Sequence, residues 1–447
     1  MIIELNEYVS KNWTEETNYL SFSYSVPSKK LITIFQQSQN YKGTRFFWEI
    51  PDRNNGFVGI GHVEKYRAKT ADELSKAKEK FFKKLLVCPS EKSNPILFGG
   101  LPFDFSGSKE PFWGEMEAGF FVLPEILFTM DASKLHVTLT VKALKREEAI
   151  QKMMELKEKV SVILEEEIPP VKTTETRMEE RDIEHFLSLV AETTAKIKAE
   201  KDLKKVVLAR QMMLEASSFD PASILSHLLE QQPNTYIFAL ESEERTFIGA
   251  TPERLLKASR DDFETASIAG SAPRGKDEGE DREIGESLLK DSKNSYEHQV
   301  VVERIQKQLA PFTEEVRTEN KRLLKNRDIQ HLFVPFKGQR KTDTSFLEVI
   351  NALHPTPALG GEPKKEALAW IAQKEKKGRG LYGAPIGWVS LTGDIGEFAV
   401  GIRSGIFGKE KALLYAGCGI VEESTPEEER NETQLKFQPM IRGVRGK

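Results

Sequence analysis

Strand-type and helix-type segments in this chain come in mixed groups and not in strict alternation, and that order restricts the fold more than any other feature. Up to about residue 145 the apolar runs read as strands: "TRFFWEI", "FVGIGHVEKY", "PILFGGLPFDF", "AGFFVLPEILFTM" and "KLHVTLTVKAL", set between Gly, Pro and Asn. One helix is predicted among them over "TADELSKAKEKFFKKLL", capped by Thr70 or Asp72, and a second over "KREEAIQKMMELKEKVSVILEEE". The segment "IPPVKTTETRMEE", with paired prolines, threonines and charge, reads as a surface connection. After about residue 182 helices and strands mix: a helix at "RDIEHFLSLVAETTAKIKAEK", a strand at "KVVLARQ", a helix at "DPASILSHLLEQQ", then strands at "TYIFALES" and "RTFIGATPERLLKAS". One long helix is predicted over "EIGESLLKDSKNSYEHQVVVERIQKQLAPF". Late strands follow at "GLYGAPIGWVSL", "GEFAVGIRSGIFG" and "KALLYAGCGIV", with a last helix after them. A doubly wound parallel sheet needs strand and helix in turn, so an α+β fold is expected instead. A strand-rich N-terminal region, residues 1–165, and a C-terminal region, residues 183–447, would lie on either side of the connection.

Composition narrows the function classes. The chain has 447 residues, 30% of them charged, and a net charge of −4, with no basic surplus of the kind a nucleic-acid surface needs. No apolar run approaches the roughly 20 residues of a membrane span. The opening "MIIELNEYVSKNW" lacks the pattern of a signal peptide, so a cytoplasmic location is expected. Cys88 and Cys418 lie far apart, without the spacing of a disulfide framework or a zinc site.

Several residues stand out against this background. Lys205 falls on the same strand face as Val207 and Ala209, where an aliphatic would be the plain choice. It is either a strand-edge lysine with its ammonium in water or a group with chemistry to do. In "VEESTPEEERNETQLKF", Thr425 can cap a helix, Pro426 suits its first position and Glu428 completes a capping box. Glu429, Glu432 and Lys436 then share one helical face, which is either a solvated charged stripe or a pair of carboxylates suited to a hard divalent cation. Glu297 lies beside an apolar stripe formed by Ile284, Leu288, Leu289, Tyr296, Val300, Val301 and Ile305. Arg403 would share a strand face with Ala399, Gly401 and Gly405, leaving room for a ligand whose carboxylate a guanidinium could grip; the alternative is pairing with an acidic loop. Tyr382 could serve the same anion or fill core. Glu253, after Pro252, is either a surface-turn glutamate or, if desolvated, a general acid. The loops "SIAGSAPRG" and "HPTPALGG" could line an anion site with backbone N–H groups, and neither fits a nucleotide fingerprint.

Nine stretches carry a resemblance. "KVVLAR", "IGATPERLL", "SIAGSAPRG", "YEHQVVV", "HPTPALGG", "GLYGAPIGW", "GIRSGIF", "YAGCGIVEESTPEEERNET" and "LKFQPM" occur in this order over about residues 183–445. Together they resemble the chorismate-utilising enzymes. The resemblance implies the fold of anthranilate synthase component I, a layered β-sheet core flanked by helices, with a Mg²⁺-dependent site for chorismate. The N-terminal region, residues 1–165 with "FGGLPFDF", resembles the part of these enzymes that packs onto the core of residues 183–447, the two together forming one large domain. Carried over residue by residue, Glu297, Glu429 and Glu432 resemble the metal carboxylates, and Arg403 and Tyr382 the pair that holds the enolpyruvyl carboxylate. Lys436, Gly270, Thr356, Gly417 and Gly419 resemble the lining of the ring-carboxylate and metal pocket.

The same resemblance bears on the chemistry. Amine-delivering members carry a lysine in a "PIKG"-type loop, where this chain has Ala269 in "SIAGS"; water-using members carry the lysine of "KVVLAR". Lys205 therefore resembles their general base, which must be neutral to take a proton from water, and Glu253 the partnering acid. Ala358 points the same way, since amine-using members tend to carry threonine there. The implied reaction is water attack at C2 of chorismate with loss of the C4 hydroxyl, giving isochorismate, with no glutaminase subunit. Salicylate-forming and siderophore-type members share these residues; the long N-terminal region and the ending "LKFQPM" look more like the menaquinone-pathway members. A non-catalytic relative would carry broken acid–base or metal positions, and none is broken here.

Overall fold

The computed structural model describes residues 2–89, 94–104, 108–200 and 202–446, with the side chains of residues 2–4, Lys293 and Glu297 outside that description. Two sheets, of thirteen and ten strands among the described residues, make up the core. From one edge, the larger runs Arg177–Glu180, Lys205–Glu215, Lys411–Ile420, Ser404–Phe407, Arg245–Thr251 and Tyr236–Ser242, and then continues into N-terminal strands beginning with Arg45–Glu49. The smaller runs from Thr313–Thr318 through Ile329–Arg340, Asp262–Pro273, Arg254–Ala258, Gly396–Val400 and Pro385–Ser390 into Ile96–Gly100. N-terminal strands thus extend both sheets: Trp48 pairs in register with Phe238, and Phe98 with Trp388. Pairing is antiparallel throughout the described residues except between Tyr19–Val26 and Leu85–Val87.

The sheets face each other across an aromatic layer. Phe46 of the larger sheet stacks on Phe98 of the smaller at 4.3 Å, and Phe57 meets Trp388 edge-on at 5.2 Å. Such contacts add about 0.5–1.5 kcal/mol each to the burial of the rings themselves. Helices cover the outer faces. Leu31–Gln37, Arg146–Glu165, Pro221–Gln231 and Pro426–Arg445 bury Phe35, Met153, Leu225 and Phe437 with Leu214, Ile248 and Leu414 of the larger sheet. Ala71–Phe82, Ser292–Leu309 and Phe346–Leu353 bury Leu74, Val301, Ile305 and Val349 with Leu256, Phe263 and Phe398 of the smaller. Among the described residues no helix is long and apolar enough to cross a membrane, and both cysteines are buried free thiols.

Four local expectations need correction. "EFAVGIRSGIF" is not one strand: Gly396–Val400 belongs to the smaller sheet and Ser404–Phe407 to the larger, and Arg403 turns between them at φ 49°. The expected long helix is two, Glu278–Lys290 and Ser292–Leu309, because Asp291 leaves helical geometry and caps the second by accepting from the Asn294 N–H. That break resets the phase of the apolar stripe, and Tyr296 stands 64% exposed. The connection "IPPVKTTETRMEE" ends in an edge strand, Arg177–Glu180, paired with residues 212–215. Finally, Ile329–Arg340 is a twelve-residue strand in a stretch where sequence reading places none; Pro335 in its middle argues against a strand at the sequence level.

Candidate active site

Twice, side by side, the chain steps from one sheet to the other. Arg245–Thr251 leaves the larger sheet and re-enters the smaller as Arg254–Ala258, crossing at Pro252 and Glu253; Gly396–Val400 makes the reverse passage through Gly401–Arg403. The crossings are tied to each other: the Ala250 N–H donates to the Arg403 carbonyl at 3.0 Å and the Val400 N–H to the Glu253 carbonyl at 2.9 Å. A non-glycine residue in the left-handed region costs about 1–2 kcal/mol, and at Arg403 this conformation is fixed by strands on both sides. Both side chains line one cavity of about 310 Å³, within the roughly 300–1,000 Å³ range of small-molecule sites. A larger groove, about 1010 Å³, passes Trp48, Trp388 and Arg340 and holds none of the residues singled out above.

Lys205 reaches this cavity from the first position of its strand. One side of the strand pairs with Lys411–Ile420; the other carries Arg177–Glu180 at residues 212–215 and, at its near end, Gly361–Glu362 at Lys205 and Val206. Between the two, side chains take over the edge. The Ala209 N–H donates to Glu375 Oε1 at 2.9 Å, Arg379 Nη2 donates to the Val207 carbonyl at 2.7 Å, and Arg379 and Glu375 pair with each other. Arg379 Nη1 also donates to the Leu359 carbonyl, which ties the "HPTPALGG" loop to the strand. Lys205 is 8% exposed, and no hydrogen bond or ion pair engages its ammonium among the described residues. The strand-edge lysine in open water is therefore not what the fold builds.

Glu253 is 6% exposed, and burial pushes its carboxyl up to about 7, against the pull of Arg403, Lys436 and Lys205. It can hold a proton near neutral pH. Tyr382 is buried, stacked on Tyr415 at 5.1 Å, and burial raises its phenol far enough to keep it a hydrogen-bond donor. Burial draws the Arg403 guanidinium down, with Tyr382, Glu432 and Glu253 pulling the other way; it stays a cation at neutral pH. A cation beside a phenol donor is a fitting cradle for a carboxylate.

The last helix brings the acids. Thr425 caps it by accepting from the Glu428 N–H, Pro426 opens it, and Glu429, Glu432 and Lys436 line the cavity together with exposed Glu428. Lys436 Nζ donates to the Gly417 carbonyl at 2.9 Å and to Glu432 Oε1 at 2.5 Å. Burial pushes the Glu432 carboxyl up, but Lys436, Lys205 and Arg403 outweigh it and hold it below the usual range. Glu429 behaves oppositely: burial and then the neighbouring Glu432 charge raise it. Ser424 Oγ donates to Glu429 Oε1 at 2.7 Å and the Cys418 thiol also bears on this carboxyl, while buried Glu429 Oε2 makes no hydrogen bond among the described residues. An orphaned carboxylate oxygen next to a second carboxylate fits a hard cation with oxygen ligands. The Glu297 side chain lies outside the described residues, and among the described residues no group of three metal-ligand side chains occurs.

Gly270, Ala358, Gly417 and Gly419 all line the cavity, as does Ala269. Gly270, at φ 71°, sits where the register of Asp262–Pro273 shifts against Ile329–Arg340. Thr356 does not line it; the residue is buried in the same loop as Ala358, and its Oγ1 has no partner. His331, which sequence reading missed, does line it. Burial, reinforced by Arg403 and Lys436, lowers its imidazole to about 3, so the ring is neutral; Nδ1 bonds Ser271 Oγ at 2.9 Å and Nε2 has no partner. Glu375 and Arg379 were missed as well, because their task is to hold backbone.

Comparison with known proteins fits this arrangement. A sequence profile of chorismate binding enzymes matches residues 5–445. The chain is 37% identical to isochorismate synthase MenF of Bacillus subtilis, over 96% of its own length and 93% of that protein's. It is also 38% identical to the salicylate biosynthesis isochorismate synthase of Pseudomonas aeruginosa, over 53% of this chain and 50% of that one. Among solved structures, MenF, the menaquinone-specific isochorismate synthase of Escherichia coli, superposes with a TM-score of 0.83 over 99% of this chain and 98% of that one, at 24% identity. Anthranilate synthase component I of Streptococcus pneumoniae superposes at 0.70 over 87% and 92%, at 21% identity, so the fold reaches beyond a single reaction. By profile and by near full-length identity, this chain belongs to the chorismate binding enzyme family.

Proposed function

We propose that this protein is an isochorismate synthase, an isomerase that adds water at C2 of chorismate and expels the C4 hydroxyl, acting in menaquinone biosynthesis. The observation that carries the reading is the pairing, in one cavity, of a buried lysine with no partner among the described residues and a buried carboxyl pushed up to about 7. Lys205 takes a proton from the attacking water as the new C2–O bond forms. The ring double bonds shift, the C4–O bond breaks, and Glu253 gives its proton to the departing oxygen. By microscopic reversibility the two exchange roles in the return reaction. Arg403 and Tyr382 hold the enolpyruvyl carboxylate, and Gly270, Gly417, Gly419 and Lys436 border the ring-carboxylate side. Glu429 and Glu432, with Glu297, would hold Mg²⁺, which when bound supplies positive charge to the ring carboxylate and fixes its position. Ala269 leaves no lysine in the "SIAGS" loop, which supports water over ammonia as the nucleophile. The near full-length relative in Bacillus subtilis, an isochorismate synthase, supports the reaction, and the long N-terminal region with the ending "LKFQPM" supports the menaquinone assignment.

The test is incubation with chorismate and Mg²⁺, products being resolved by chromatography. Isochorismate is expected in a mixture approached from either side, and Lys205→Ala and Glu253→Gln should each slow both directions by one common factor, on the order of a hundredfold or more. Salicylate as the main product, anthranilate on adding ammonium, or near-normal turnover in Lys205→Ala would overturn the reading.

A further inference from the structure

Lys205 lies across its neighbouring strand. Val207 is in register with Gly419, and Lys205, two residues earlier on the same face, leans along the diagonal over that glycine. A methyl built on Gly419 would come within 2.4 Å of Lys205 Cε, 3.0 Å of Nζ and 3.7 Å of Cδ, and meet no other atom as closely. Gly419 is not in the left-handed region, so the absence of a side chain there does not serve the backbone. Gly417, on the same strand, differs: a methyl there would meet the Leu208 carbonyl and Tyr382 Oη at 3.0 Å each, and not Lys205.

We propose that Gly419 is a positioning residue for the base: with no side chain, it lets the Lys205 stem cross the strand and hold its ammonium in the substrate cavity. This rests on the reading of Lys205 as the general base. Adding a methyl displaces only the flexible end of one side chain, and that end has somewhere to go. Lys205 also borders a second cavity, about 570 Å³, shared with Lys204, Tyr296, Val300 and Val421. Gly419→Ala should therefore leave the fold standing and move the base out of place.

The experiment is a double-mutant cycle on turnover, with melting temperatures measured for each variant. Gly419→Ala should slow turnover by about a hundredfold, the scale of a lost base. In a Lys205→Ala background the same change should cost less than about threefold, because the group it acts through is already gone. Equal losses in both backgrounds would overturn the proposal, since the methyl would then be acting on substrate or metal. Near-native turnover of Gly419→Ala would overturn it too. Near-native turnover of Lys205→Ala alone would instead remove the base assignment beneath it. Should Gly419→Ala fail to fold, the melting temperature decides: the clash is with Lys205, so Lys205→Ala must restore folding, and failure to restore it overturns the proposal.

Discussion

Glu253 is the residue whose environment says most about the chemistry. Its carboxyl moves from 4.5 to about 7 on folding, chiefly through burial, so the folded protein holds an extra proton between those values. The stability this group contributes is complete below its unfolded pKa and is lost as pH rises through the folded one. Urea unfolding at about pH 5 and about pH 8 should show the native protein losing stability relative to Glu253→Gln over that interval. An identical pH slope in the two proteins would mean that Glu253 is not buried neutral. Activity should follow the same group: the acid form is the one that donates, so kcat/KM in the forward direction should fall as pH rises past 7. Sequence reading could name Glu253 and Lys205 from their motifs, yet could not tell a surface carboxylate or a solvated lysine from a buried one. Burial is set by strands far away in the chain, and it decides both cases.

At the scale of elements, the last helix was legible almost in full. Its cap, its proline and the spacing of Glu429, Glu432 and Lys436 are local properties of one segment, and the structure keeps them. The helix makes a metal prediction. Among the described residues Glu429 Oε2 is buried without a hydrogen bond beside a second carboxylate, a costly arrangement that a divalent cation relieves. Mg²⁺ should raise the melting temperature of the substrate-free native protein and leave that of Glu429→Gln unmoved; an equal rise in both would place the cation elsewhere. The sheet crossings were not legible. Pro252 marks a turn in "TFIGATPERLL" and "EFAVGIRSGIF" carries an unbroken strand pattern, but only pairing partners reveal that each run serves two sheets. His331 stayed hidden for a related reason, since Pro335 masks the strand that delivers it. Glu375 and Arg379 left no signal, because a side chain that holds backbone can sit in any loop.

Over the whole molecule, the N-terminal strands must stay fixed to the core strands of the larger sheet, and part of that hold rests on one buried ion pair. Arg45, fully buried, donates from Nε and Nη2 to the two carboxylate oxygens of Glu241 at 2.9 and 2.6 Å, and from Nη1 to the Phe35 carbonyl at 2.9 Å. It joins an N-terminal strand, a helix and the strand Tyr236–Ser242. Removing the acid strands a buried cation, so Glu241→Ala should lose about 3–5 kcal/mol in denaturant unfolding. A loss below about 1 kcal/mol, the range of a surface pair, would show that the clamp is dispensable. The α+β class is expected from the order of segments and the packing of the N-terminal region from the resemblance alone, whereas the sharing of both sheets between the two regions depends on long-range register. The proposed function has Lys205 deliver a water molecule to C2, and isotope labelling tests that most directly. With chorismate turned over in H₂¹⁸O, the first isochorismate formed should carry one solvent oxygen at C2, and Lys205→Ala should form almost none of it. Unlabelled isochorismate would mean that the hydroxyl migrates within the substrate, and it would contradict the account.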